Sequence, residues 1–199
     1  MQTIVDKIKN DIYKQKRGFV FTKYRFFDLG NPKTISKVLE RMVESGEIRR
    51  IARGIYDYPK KHPEFGNIPP DPNKIADALA EKDNLKIQPS GAYAANLLGL
   101  SDQVPAKYVF LTDGHSRTVQ VGKLNIKLKK TTPKNMATAG RISGLVIQAL
   151  RYMGQKNVDD RVINILNRKL SDTDKKTLMA DLRYAPAWID KVLRRLNEK

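Results

Sequence analysis

Lys33, Thr34, Ser36 and Lys37 follow closely on an Asn31-Pro32 pair. Ammonium groups and hydroxyls so grouped suit nucleic acid, the first binding phosphate and the second donating to or accepting from base edges. Arg49, Arg50 and Arg53 form a second group around a Gly, and Lys23 and Arg25 a third. Guanidinium forks match phosphate oxygens and enter a narrow minor groove. Catalytic material is scarce by comparison. The histidines are two, His62 and His115, and there is no cysteine. A two-His metal site, a Ser-His-Asp set and a thiolate nucleophile therefore lack their parts. Asp113-Gly114-His115-Ser116 has the residue types of a turn between strands. No Gly-rich phosphate loop occurs, and the lysines of 120–123 and 127–130 lack the pair of acidic residues a nuclease strand needs. The expectation is a binding protein, without enzymatic activity, metal or cofactor.

Charge points the same way. The 199 residues carry 38 Lys and Arg against 21 Asp and Glu, a net +17. Such an excess draws polyanions by releasing their counterions. It is uneven: 15 basic against 7 acidic residues up to Lys61, 10 against 7 from His62 to Gly140, and 13 against 7 thereafter. No apolar run of the roughly 18 residues that would cross a bilayer is present. The N-terminus lacks a basic leader followed by an apolar core, so a cytoplasmic location is expected, away from membranes.

The elements that must hold these groups follow from apolar spacing. Ile4, Val5, Ile8 and Ile12 predict an amphipathic helix from Met1 to about Gln15. Phe19-Val20-Phe21 is short and β-prone, and Thr22 is placed to cap a brief helix through Leu29. Asn31 and Pro32 start a longer helix carrying Ile35, Val38, Leu39, Met42 and Val43, which Ser45-Gly46 ends. Two β-prone runs then flank a turn at Ala52 to Gly54. Helix, short helix, turn, helix and hairpin is the order of a winged helix-turn-helix. Its second long helix would face the bases with Lys33 to Lys37, its hairpin would place Arg49, Arg50 and Arg53 beside the duplex, and Lys23 and Arg25 would anchor on the backbone.

Pro59, Pro63, Pro69, Pro70 and Pro72 mark 59–72 as a linker. Beyond it, Asp71-Pro72 and Ser90-Gly91 open two helices, Ser90 as a cap and Tyr93 as a packing residue, with an anion pocket there as the alternative. Lys107 to Thr112 reads as a buried strand, and Thr118 to Lys130 as a hairpin around Gly122-Lys123. From Arg141 the spacing turns helical again, with a capping box at Ser171 and Asp174 and Pro186 starting the last helix. The reading is α+β: a winged helix-turn-helix over 1–58, a linker over 59–72, and a mixed α/β domain over 73–199 that ends in a helical bundle.

Two stretches carry a resemblance to a known family. The first runs from Leu39 to Tyr56 and holds Arg53-Gly54-Ile55-Tyr56. The second is Ile87-Gln88-Pro89-Ser90-Gly91 through Asn96-Leu97-Leu98-Gly99-Leu100, then Gln103-Val104-Pro105 and Val109 to Gly114. In these the chain resembles the AbiEi-like antitoxins of type IV toxin-antitoxin systems, including their short DUF6088-type members. The resemblance covers about Met1 to Met136; the short helical tail after Arg141 departs from the longer members. It implies a protein that represses its own operon by binding promoter repeats in double-stranded DNA. It further implies a C-terminal domain that opposes a nucleotidyltransferase toxin without a stable complex. A winged helix is also used for binding protein or RNA, and an adaptor of that kind, without antitoxin activity, is the alternative expectation.

Overall fold

Thr3 begins the fold: its hydroxyl accepts from the Asp6 amide while the Asp6 carboxylate accepts from the Thr3 amide, a reciprocal cap. The computed structural model describes residues 2–196; Met1, where the first helix was expected to begin, lies outside them, as do 197–199. Helix α1 spans Ile4–Lys14 and buries Ile8 and Ile12. Strand β1 (Phe19–Thr22) leads into a 3-10 helix, Lys23–Leu29, and then helix α2, Pro32–Glu44. The Asn31 side chain accepts from the Lys33 amide at 2.8 Å, as its position before proline predicts. Thr22 does not cap as expected. It is buried at the end of β1, and its hydroxyl makes no cap bond to the 3-10 helix.

Strands β2 (Arg49–Ala52) and β3 (Ile55–Tyr58) form the hairpin, with Gly54 at φ +74° in its turn. A glycine serves there because a Cβ disfavours that region. The sheet order is β1-β3-β2, all antiparallel, so β2 is an edge strand. Ile8, Ile12, Phe21, Phe26, Ile35, Leu39, Met42, Ile48 and Tyr56 make one core under it. Each such side chain contributes about 1.5–3 kcal/mol of apolar burial.

Within the proline-rich stretch lies a two-stranded hairpin, β4 (Lys61–His62) with β5 (Gly66–Asn67). Helix α3 (Pro72–Asp83) starts at an Asp71 cap, and the chain divides after it rather than before. The first compact unit is Met1–Leu85 with Gln120–Lys123; the second is Lys86–Val119 with Leu124–Lys199. The physical reason is that α3 packs on β1 and buries Ile75, Ala78 and Leu79.

The second unit is mixed. Strands β6 (Ile87–Pro89), β7 (Tyr108–Thr112), β8 (Arg117–Val121, of which residues up to Val119 belong to this unit) and β9 (Leu124–Lys130) form a sheet of order β6-β7-β9-β8, with β7 and β9 parallel. Helices α4 (Gly91–Leu97), α5 (Pro133–Met136), α6 (Ile142–Met153), α7 (Asp160–Lys169), α8 (Asp172–Ala180) and α9 (Ala187–Arg195) complete it. Helices α4 and α6 to α9 share a core that includes Ala94, Leu98, Val146, Leu150, Leu166, Leu178 and Leu193. Ser171 and Asp174 form the expected capping box. Ser90 differs from expectation: its side chain makes no cap bond and instead donates to Gln148 Oε1 at 3.3 Å. Tyr93 packs edge-on against Tyr108 and Phe110. Among the described residues no helix is long and apolar enough to cross a membrane. The architecture is α+β.

Candidate functional site

The apolar stripe of α2, Ile35, Val38, Leu39 and Met42, faces the first core, which turns Lys33, Thr34, Lys37, Glu40 and Arg41 outward. Three- and four-residue spacing dictates this separation. The exposed first two turns of α2 thus present Lys33, Thr34 and Lys37 together, and the positive end of the helix dipole adds to the charge of Lys33 in the first turn.

Beside this face lies a cleft of about 420 Å³ in the first unit, lined among others by Lys23, Ser36, Glu40, Arg50, Arg53 and Lys82. Four elements and one turn supply these groups. Lys23 opens the 3-10 helix, Ser36 and Glu40 come from α2, Arg50 from the edge strand β2, Arg53 from the hairpin turn, and Lys82 from α3. Four cations against one carboxylate give the cleft a net positive field. Among the described residues Lys23, Arg50, Arg53 and Lys82 form no ion pair, although the Lys82 ammonium lies 4.7 Å from the centre of the Tyr24 ring. Tyr56 is buried beneath, its phenol pushed up by burial above all, with Arg50 opposing that shift and Glu40 adding to it. A cleft of unpaired cations, with a hydroxyl at one wall, is built to take an anion.

Of the nine residues the sequence singled out, Lys23, Ser36, Arg50 and Arg53 meet in this cleft, while Lys33, Thr34 and Lys37 lie on the open face of the same helix. Arg25 and Arg49 do not line the cleft and are paired with carboxylates of the protein. Arg25 donates to Asp11 and to Glu81, each at 2.7 Å, and these bonds, Asp11 first, hold its guanidinium above its ordinary pKa. Arg49 donates to both carboxylate oxygens of Asp57, which is 1% exposed, and to the Ile68 carbonyl at 3.0 Å. Its charge is matched within the protein. Lys82, Glu40 and Tyr24 escaped the sequence reading. Lys82 lies beyond a stretch read as a linker, and Glu40 sits on the polar face of an ordinary amphipathic helix.

A two-unit α+β chain with a cationic cleft on its N-terminal unit describes the class. The family follows from comparison: the model of DUF6088, described as a family of unknown function, matches residues 7–178, and the chain belongs to that family. No curated protein matches it. Among solved structures, the chain is similar to the RV2827C protein from Mycobacterium tuberculosis, at 13% identity and a TM-score of 0.46, covering 100% of this chain and 77% of that one.

Proposed function

We propose that the chain is a transcriptional regulator that binds double-stranded DNA through an N-terminal winged helix-turn-helix. In this reading α2 enters the major groove with Lys33, Thr34 and Lys37 at the base edges, and the β2–β3 hairpin is the wing. The observation that carries it is the convergence of Lys23, Arg50, Arg53 and Lys82 on one cleft beside the exposed face of α2. Two further facts support it. The order helix, strand, short helix, helix, hairpin and the strand order β1-β3-β2 are those a winged helix has. The 15 basic residues up to Lys61 also concentrate charge on the unit that would touch DNA.

The biological role we propose is repression of its own operon, combined with antitoxin action against a nucleotidyltransferase-type toxin without a stable complex. The resemblance of the Leu39–Tyr56 and Ile87–Gly114 stretches to the AbiEi-like antitoxins supports this part. Repression is tested with a reporter driven by the chain's own upstream region. Wild type should silence it, and the double variant Arg50→Ala with Arg53→Ala should relieve silencing at equal protein level. A reporter indifferent to wild type contradicts the proposal. The antitoxin part is tested separately by growth on co-expression with a nucleotidyltransferase-type toxin, if one is encoded beside the chain's gene, and continued growth arrest contradicts that part alone.

A further inference from the structure

Hairpin β4–β5 is held at its base and bare at its tip. The Pro59 carbonyl accepts from Arg17 Nη1 at 3.2 Å, the Ile68 carbonyl accepts from Arg49 Nη2 at 3.0 Å, and the Ile68 amide closes onto the Lys60 carbonyl at 2.9 Å. Between these fixed ends Lys61 pairs with Asn67 and His62 with Gly66, and Gly66 at φ +68° lets the chain return. At the tip Phe65 is 80% exposed, and among the described residues its ring neighbour is His62, at 4.8 Å between centroids. The Glu64 amide donates to His62 Nδ1 at 3.2 Å, which fixes the imidazole behind the phenyl. A bulky apolar ring is thus carried into solvent on an anchored support.

Charge says what such a ring would meet. A second cleft, about 540 Å³, joins this hairpin to β2 and is lined by Arg50 and Lys61 together with Asn67 and Pro59. Arg50 borders both clefts, so the cationic first cleft and Lys61, at the root of the Phe65 finger, lie on either side of one edge strand. An exposed ring beside Glu64, on a support whose root carries Lys61 and adjoins the cationic edge strand, matches a polyanion whose interior is apolar. That is a nucleic acid: phosphates outside, stacked bases within.

We propose that Phe65 is a DNA-inserting residue, its ring entering a base step of the duplex beside the segment read by α2 while Lys61 holds the flanking phosphate. The proposal rests on the DNA-binding reading above and extends its footprint to a second hairpin. Apolar wedges of this kind unstack a step and bend the duplex, and the bend brings more of the backbone to the protein.

The test uses the full chain and a fluorescently labelled duplex from its own upstream region, titrated at several salt concentrations. Phe65→Ala should weaken binding about tenfold, as loss of a stacked ring does, and should leave the salt slope unchanged because no phosphate contact is lost. Lys61→Ala should weaken binding and reduce the slope by about one phosphate's worth. Phe65→Trp should restore affinity, and its emission should fall on adding DNA beyond any change wild type shows from Trp188. Since Phe65 is exposed, the urea midpoint of Phe65→Ala should equal that of wild type, which separates lost contact from lost fold. Phe65→Ala binding as tightly as wild type overturns this proposal alone. A wild type that binds no duplex overturns the DNA reading itself.

Discussion

Arg49 and Arg50 are neighbours in β2, and strand alternation sends them opposite ways. Arg49 meets Asp57 across the sheet, its register partner on β3, and Arg50 projects from the exposed edge into the cationic cleft. Arg49→Ala strips the partner from a carboxylate that is 1% exposed. A loss of about 2–3 kcal/mol in urea unfolding is expected, the range for charged hydrogen bonds left unmade in a partly buried pair. Arg50→Ala and Arg53→Ala should leave that stability within about 0.5 kcal/mol and weaken DNA binding on every sequence alike, each lowering the salt slope by about one. Thr34→Ala should instead change which sequence is preferred, since an exposed hydroxyl in the first turn of α2 would read bases rather than phosphate. Equal losses on all duplexes for Thr34→Ala and Arg53→Ala would contradict this division. The sequence shows two adjacent arginines and no way to tell them apart. Only the register that sets Asp57 opposite Arg49 distinguishes the paired arginine from the unpaired one.

The elements show a similar mixture of the legible and the hidden. Caps that use the first polar residue before a proline or an acidic turn, Asn31, Asp71 and Ser171, follow from local sequence. Thr22 and Ser90 look like caps but serve tertiary neighbours, one buried in a strand end and the other bonded to Gln148. Long-range tethers are equally unreadable. Tyr13 on α1 donates to Glu47 just after α2, and the same carboxylate accepts from Lys9 at 3.0 Å and Ser45 at 2.9 Å. This bond, with burial behind it, pushes the Tyr13 phenol up to about 12. The folded state therefore holds that proton more tightly than the unfolded chain, whose phenol titrates near about 10. The stabilisation is complete below about pH 10 and is lost as pH rises towards about 12. Tyr13→Phe should remove this part of the alkaline fall in unfolding midpoint, as paired pH series of wild type and variant would measure; an unchanged profile would show the tether contributes nothing. In the second unit Gly144 of α6 meets the Gln88 amide oxygen and the Thr138 carbonyl where a Cβ would stand. Gly144→Ala should cost about 1–3 kcal/mol through overpacking in thermal or urea unfolding.

At the scale of the whole molecule, composition and periodicity carry the α+β class and the run of helices at the C-terminal end, because alternation and helical spacing are local properties of the chain. The division into units was less readable. Five prolines from Pro59 to Pro72 resemble a linker, yet the stretch holds an anchored hairpin and α3 returns to cover β1. Proline excludes helix and central strand but not short edge pairing, and what α3 packs against is a tertiary fact. That return also brings Lys82 to the cleft, so the cationic site is wider than the helix and hairpin that the sequence points to.

The net +17 makes some attraction to any polyanion inevitable, and the central claim concerns what lies beyond it. The most direct measurement is a titration of the full chain against a duplex from its own upstream region and a scrambled duplex of equal length, each at low and at physiological salt. The account predicts binding that survives physiological salt and prefers the upstream duplex by at least about a thousandfold, the lower end of specific over non-specific binding. Equal binding of the two duplexes that vanishes as salt rises would contradict it, leaving the cationic cleft with a polyelectrolyte attraction and no sequence to read.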